Sequence, residues 1–492
     1  MFERLISERA AKDKGAIAMA TPFDRYSYAE MDADIRRCVA RLRPLGLRPG
    51  SRALIQVSDL YTHWLLTFAL EALGVVTMGV HYLYPVDATL VKWSGVDFVF
   101  ADRPLPPEVK VRSQLVGPGW MKITRRFRPL PLPSLKRAGD DPVRLVLSSG
   151  TTGTPKKVML TREMIDRRNQ VSLDSPLLAG VRARFSDPDS LAVITETDPS
   201  TVGGLGIGVA IWTMGGRLCQ RAAGLGWAET LTRLKISCYV AAPLQIQGLL
   251  DALPADFRPP VPISLGVIGG SLSKPLAAEV KRRLTSDIFV FYGTTESGGI
   301  TEGHMDELAG AEDAAGHVHP SATVELVRPD GARAAAGELG EVRVRGACVV
   351  DGYFEQPEET QRYFKDGWYH PGDLAVMDAD GTLRVMGRTD DLMNIGGVKF
   401  LPAEIETLAL KCDGVRDAAA FSVKDAVGLD RMHVIYIADR DLDADAIKKA
   451  VAGADRHLAN NIEVARTSAI PRNALGKVER VKLRNQVLES AS

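Results

Sequence analysis

The chain has 492 residues, 45% hydrophobic and 25% charged, with 61 basic and 61 acidic side chains and a formal net charge of zero. That balance excludes a disordered chain and supplies core for roughly two to four domains. A neutral chain without basic or acidic runs is a poor partner for nucleic acid.

Residues 1–15 are charged throughout and lack the apolar centre of a signal peptide. Over 29–43, Met31, Ile35, Cys38, Val39 and Leu42 recur at helical spacing, which predicts an amphipathic helix. "SRALIQV" (51–57) reads as a strand, "HWLLTFALEALG" (63–74) as a buried helix ended by its glycine, and "VVTMGV" (75–80) as a second strand. Strands alternating with helices predict parallel sheets covered on both faces. The apolar runs around Glu71 and "VGGLGIGVAIWTMGG" fall short of the about 20 apolar residues of a membrane span and read as buried core. Segments 189–196, 236–243, 263–270 and 287–295 read as buried parallel strands. Ligands of such sheets bind beyond the carboxyl ends of the strands, where "GGS" (269–271) and "YGTTES" (292–297) fall. After about residue 320, alternating patterns around Asp-Gly turns predict antiparallel hairpins. From about 391 a helix–strand–strand–helix pattern is large enough for a separate domain of about 100 residues. Cys38, Cys219, Cys238, Cys348 and Cys412 form no C-x-x-C pair and fit buried thiols of a reducing, cytoplasmic compartment.

The stretch "LVLSSGTTGTPKKVML" (145–160) runs from strand into a polar loop. It is not the common lysine-bearing phosphate loop: aligning Lys156 places Pro155 where glycine is needed and Lys157 where Ser or Thr is needed. The physical requirement is still met. Gly150 and Gly153 let the backbone turn, Ser148, Ser149, Thr151, Thr152 and Thr154 supply hydroxyls, and Lys156 supplies a cation. On its own the loop reads either as such a nest or as an ordinary solvent loop.

With its neighbours it resembles a known family. "LSSGTTGTPKKV", "FYGTTES" (291–297), "GWYHPGDLAVMDADGTLRVMGRTDDLMNIGGVKFLPAEIE" (367–406) and "PRNALGKVER" (471–480) are similar, in order and spacing, to the motifs of the adenylate-forming enzymes. That superfamily comprises acyl-CoA synthetases, aryl-CoA ligases, peptide-synthetase adenylation domains and beetle luciferase. The resemblance covers nearly the whole chain.

It implies an α/β fold: a large N-terminal domain (1–389) of parallel and mixed sheets covered by helices, with an antiparallel β subdomain, and a small mobile α+β C-terminal domain (390–492). It implies two half-reactions. A carboxylate attacks the α-phosphate of ATP to give an acyl-adenylate and pyrophosphate, and a thiol of coenzyme A or of a carrier protein's phosphopantetheine then takes the acyl group. Residues 148–153 and Lys156 would hold the β- and γ-phosphates. Tyr292, Gly293, Thr294 and Gly270 would adjoin the nucleotide, with Tyr292 against adenine. Glu296 would bind Mg²⁺ and Thr295 touch the α-phosphate. Asp373 would accept both ribose hydroxyls, and Arg388 would reach ribose or phosphate. Lys477 would bridge carboxylate and α-phosphate. Asp390 would be the hinge, and Gly396 and Gly397 would line the thiol tunnel. Gly269, Gly270 and Ser271 would face the acid. Partners would be a small carboxylic acid and coenzyme A or a separate carrier protein, with no membrane, in a monomer or homodimer.

Three positions depart from the pattern. Lys157 stands where glycine is expected, Pro371 where threonine precedes Gly-Asp, and Thr197-Asp198 where many relatives have an aromatic-His pair. Asp198-Pro199-Ser200 matches a spelling in which aspartate pairs with a substrate amine; equally, Asp198 serves to start a helix at Ser200 or Thr201. His304, His317 and His319 read as part of a surface hairpin rather than a metal cluster. Two alternatives stay open: transfer of the adenylate to an amine or oxygen, and a degenerate nucleotide-binding module.

Overall fold

Residues 2–82, 84–135, 138–148, 155–184, 190–308, 314–395, 398–424, 430–452, 461–473 and 476–491 are described by a computed structural model, and every structural statement concerns them. A six-stranded sheet has the order Arg112–Leu115, Phe98–Ala101, Arg52–Gln56, Val76–Gly79, Pro142–Ser148, Lys156–Thr161. All pairs are parallel except the last, so the chain reverses between Ser148 and Lys156.

A larger sheet changes character along its width. From Ile17–Ala20 through Arg217–Cys219, Ala192–Thr195, Cys238–Ala241 and Ser264–Val267 to Ile288–Thr294 its strands are parallel. From Ile288–Thr294 onward, through Gly298–His304, Ala314–Val318, Thr382–Arg388 and Asp373–Met377, they are antiparallel. The parallel strands are short and almost wholly buried, as sheets covered on both faces require. The switch strand Ile288–Thr294 is the one that carries "YGTT".

Helix Leu60–Ala72 is buried at nearly every position. It begins three residues before the expected start, because the Asp59 side chain accepts the Thr62 N–H at 2.8 Å and caps it. Its Trp64 and Phe68 pack against Trp212, with ring centroids 4.8 and 5.6 Å away. Trp212 lies on helix Val202–Met214, where a Cβ on Gly208 would stand 2.7 Å from the Trp64 ring. Both apolar runs are therefore core helices, and no helix among the described residues is long and apolar enough to cross a membrane. Glu71, the charge inside the first run, meets Arg144 at 2.5 Å and accepts from Thr77 at 3.0 Å. A buried ion pair of this kind holds its charges by mutual compensation.

The residues after 392 build their own core. Strands Val415–Lys424, Asp430–Ala438 and Ile462–Arg466 pack Met432 and Val434 against Ile405 of helix Pro402–Leu410 and Ile447 of helix Ala444–Ala452. Helix Arg480–Ala491 covers the other face with Leu483 against Phe421 and Ile435.

The "GHVHP" segment begins in the second strand of an antiparallel hairpin, Gly298–His304 with Ala314–Val318, and that strand also pairs with Thr382–Arg388 in the large sheet.

Candidate active site

A cavity of about 2540 Å³ opens beyond the carboxyl ends of the parallel strands and reaches residues 472–486 of the C-terminal segment. Its floor is the turn after the switch strand. Thr294 and Ser297 bond reciprocally, Ser297 N–H donating to Thr294 Oγ1 at 3.1 Å with the hydroxyls 3.0 Å apart. The closure leaves no room at Gly293, where a Cβ would lie 2.2 Å from Gly298 O. The turn presents Thr295 to the cavity and buries Glu296, whose Oε1 accepts from Ser148 Oγ at 2.8 Å and Tyr353 OH at 2.9 Å. The end of strand Pro142–Ser148 is thereby joined to the turn.

The antiparallel hairpin supplies a second group. Asp373 and Arg388 face each other in register, and Arg388 Nη1 donates to Asp373 Oδ1 at 3.0 Å. Tyr292 OH donates to Asp373 Oδ2 at 2.6 Å. Burial raises the Asp373 pKa, opposed by the Arg388 charge, the Tyr292 hydrogen bond and the Lys477 charge. At Pro371 the carbonyl, which any residue supplies, accepts from Arg388 Nη2 at 2.7 Å.

Lys477 follows Gly476, whose φ of +77° and contact with Leu244 set the loop against helix Pro243–Ala252. The lysine lines the cavity, is exposed, and forms no ion pair with the described residues. Lys156 also lines the cavity, its ammonium 3.4 Å from the Tyr363 ring centroid and 4.0 Å from Glu359. Gly269, Gly270 and Ser271 form part of the wall, Gly269 at φ +74°. Asp390 lies in the turn Thr389–Asp391, between Arg388 and the Asp391–Arg480 pair at 3.3 Å. Ser149, Gly150, Thr151, Thr152, Gly153, Gly396 and Gly397 lie outside the described residues.

Asp198 is not in the cavity wall, which Thr197, Ser200 and Thr201 form instead. Its Oδ1 accepts the Ser200 N–H at 2.7 Å, and Thr201 caps the helix that follows. The helix-start alternative describes this geometry. His317 is exposed, with Nε2 3.3 Å from Thr382 Oγ1, while His319 joins the cavity wall. Among the described residues, no group of three or more His, Cys, Asp or Glu side chains is arranged to hold a metal. The single buried carboxylate of Glu296 suits Mg²⁺ only where phosphate and water oxygens complete the shell, a habit of that ion.

Lys157 faces away from Lys156, as successive strand residues must. It is buried, with Nζ 3.0 Å from Glu355 and 3.1 Å from Trp93 O, and 5.0 Å from the Trp93 ring. Its main chain bonds the same segment, donating to Gln356 Oε1 at 2.7 Å and accepting from Phe354 N–H at 2.7 Å. Lys157 ties strand Lys156–Thr161 to Trp93 and to residues 354–356. Lys157→Ala is expected to lower unfolding stability by roughly 1–3 kcal/mol in denaturant titration, through lost bonds and a cavity, with ATP kinetics intact. A variant as stable as wild type would remove this role.

Arg168 was not singled out by its sequence. From helix Arg162–Leu173 it donates to Thr295 O at 3.0 Å, Glu296 O at 2.7 Å and Cys348 O at 3.0 and 2.7 Å. Burial pulls its pKa down to about 10, so it stays charged at neutral pH.

Fold and cavity together define an α/β enzyme with its site at the parallel-to-antiparallel switch of one sheet. A family model described as AMP-binding enzyme matches residues 6–354. The chain is 24% identical to the medium-chain acyl-CoA ligase ACSF2 of Mus musculus, over 96% of this chain and 85% of that one. It is 27% identical to the fatty acid–[acyl-carrier-protein] ligase MmaC of Mycobacterium marinum, over 98% and 97%. The O-succinylbenzoate coenzyme A synthetase of Bacillus subtilis, solved with AMP, shares the fold at a TM-score of 0.81 and 20% identity, over 98% of each chain. The chain belongs to the AMP-binding enzyme family.

Proposed function

We propose that the protein is an AMP-forming acid–thiol ligase that activates a carboxylic acid with ATP and passes the acyl group to a thiol. The observation that carries this is the convergence of Thr295, Glu296, Asp373, Arg388 and Lys477 on one cavity. In the first half-reaction a carboxylate oxygen of the acid bonds to the α-phosphorus, the bond to the β-phosphate oxygen breaks, and pyrophosphate leaves. Positioning and charge neutralisation dominate such a step. Ser148 and Lys156 stand at the ends of the phosphate loop, Asp373 and Arg388 hold the ribose, and Lys477 draws carboxylate and α-phosphate together. Glu296 would hold Mg²⁺, which would supply neutralisation of phosphate charge. In the second half-reaction the thiol sulfur bonds to the acyl carbon, its proton is lost, and AMP leaves.

For the second step, the segment from 390 onward rotates about Asp390 and brings Gly396 and Gly397 to the thiol. Coenzyme A and carrier-protein phosphopantetheine present the same thiol, and relatives named for each acceptor support both. Val171, Leu178, Ile207, Ile211 and Met214 line the cavity, which favours an acid with an apolar body. Asp198 lies outside that wall, so no amine preference is part of the proposal.

Hydroxylamine trapping across a panel of alkyl and aryl acids tests the first half-reaction. Hydroxamate that requires both ATP and Mg²⁺ is the expected result; its absence for every acid would favour a degenerate nucleotide-binding module.

Arg168 enters as a positioning residue, since it fixes the carbonyls on either side of Glu296. Arg168→Met is expected to raise the KM for MgATP about tenfold or more, with partial recovery in Arg168→Lys. Steady-state kinetics that show an unchanged KM would rule this out.

A further inference from the structure

Beside its apolar residues the cavity wall carries a largely buried carboxyl. Glu302, on strand Gly298–His304, lines the cavity with Oε1 3.8 Å from His319 Nε2, and the two side chains are 11% and 12% exposed. At that separation they are not hydrogen-bonded. Ser175 lies beside Glu302; its Oγ accepts the Leu178 N–H at 3.2 Å, which leaves its hydrogen for the carboxyl. No described lysine or arginine pairs with Glu302. A half-buried carboxyl so placed is costly without a further partner. Burial pushes it up to about 7, so both protonation states are present near neutrality.

Strand register locates this spot relative to the activation end. Glu302 pairs with Phe291, three residues before Thr294, a distance of about 10 Å at the strand rise. Ser175 lies just past the end of helix Arg162–Leu173, whose Arg168 grips the Thr295 and Glu296 carbonyls. Val171, Ser172, Leu178 and Phe291 also line the cavity.

We infer that the acid activated here carries a hydroxyl group at the end remote from its carboxylate, bound by Glu302 with Ser175 and His319. The inference rests on the acid-activating reading above. A hydroxyl both donates and accepts, so it satisfies Glu302 in either state. The apolar body of the acid spans the about 10 Å that the strand places between the two ends.

The test compares octanoate with its terminally hydroxylated counterpart by hydroxamate formation, in wild type, Glu302→Leu and Glu302→Gln. Wild type is expected to favour the hydroxylated acid in kcat/KM by at least about tenfold, because a site built around a hydroxyl rejects the analogue that lacks it. Glu302→Leu is expected to invert the preference by raising kcat/KM for octanoate, which also shows that the variant folds. Glu302→Gln, still able to donate and accept, is expected to keep a preference for the hydroxylated acid. Equal use of both acids by wild type, or an unchanged preference in Glu302→Leu, overturns the inference while leaving acid activation standing. No hydroxamate from any acid overturns acid activation, and the inference with it.

Discussion

Lys477→Ala is expected to lower acid-dependent adenylate formation by at least about 10²-fold, the scale of losing one charge-stabilising group at a reacting centre. Its melting temperature is expected to stay near that of wild type. Both expectations come from the same geometry. The Lys477 side chain is exposed and makes no ion pair with described residues, so folding gains little from it. Its charge is nevertheless felt at Asp373, where it opposes the upward shift caused by burial. On the function proposed above, this exposed ammonium at the cavity would bridge two anions that otherwise repel. The loop keeps it there: Gly476 takes the left-handed turn, and Lys477 N–H donates to Asn473 Oδ1 at 3.0 Å. Pyrophosphate–ATP exchange isolates the half-reaction. An exchange rate equal to wild type would sink the assignment.

Asp390→Pro is expected to separate the two half-reactions. Adenylation should change by less than about threefold, while thioester formation falls by at least about tenfold, because a hinge acts by absorbing backbone rotation and touches no substrate. Asp390 is the middle residue of a 3₁₀ turn, whose φ range proline can adopt. The substitution should therefore be tolerated in the arrangement described. Two fixed points flank it: Arg388, bonded to Asp373, and Asp391, paired with Arg480 of the C-terminal helix. Rotation at Asp390 moves the second relative to the first. Single-turnover assays, with hydroxamate for the first step and thioester for the second, measure the two separately. Equal losses in both steps would argue for general damage near the site.

What was legible in the sequence was local. Strands such as Cys238–Ala241 and Ser264–Val267 are short apolar runs closed by turn residues, and buried parallel strands have no other spelling. Thr295, Glu296, Asp373, Arg388 and Lys477 sit in compact motifs whose glycines are demanded by the backbone: Gly293 by the Gly298 carbonyl, Gly372 by a φ of +77°. What was not legible depends on distant partners. Lys157 seemed a misplaced charge because its partner Glu355 is 198 residues away. Glu71 interrupted an apolar run because Arg144 is 73 residues away. Arg168 looked like one more arginine on a polar helix, since the carbonyls it grips belong to turns 127 and 180 residues further on. Asp198 was ambiguous for the opposite reason: its partner is local, the Ser200 N–H, and a helix start has the same spelling as an amine-binding aspartate. The second pairing of Ala314–Val318, with Thr382–Arg388, was not legible because that partner is distant in sequence.

The central claim is that ATP is cleaved between its α- and β-phosphates by the carboxylate of an acid. Separating the products of α-phosphate-labelled ATP, with and without acid and coenzyme A, tests it most directly. Labelled AMP is expected to form only when acid is present, with thioester in equal amount once coenzyme A is added. Labelled ADP, or AMP formed at the same rate without acid, would contradict it.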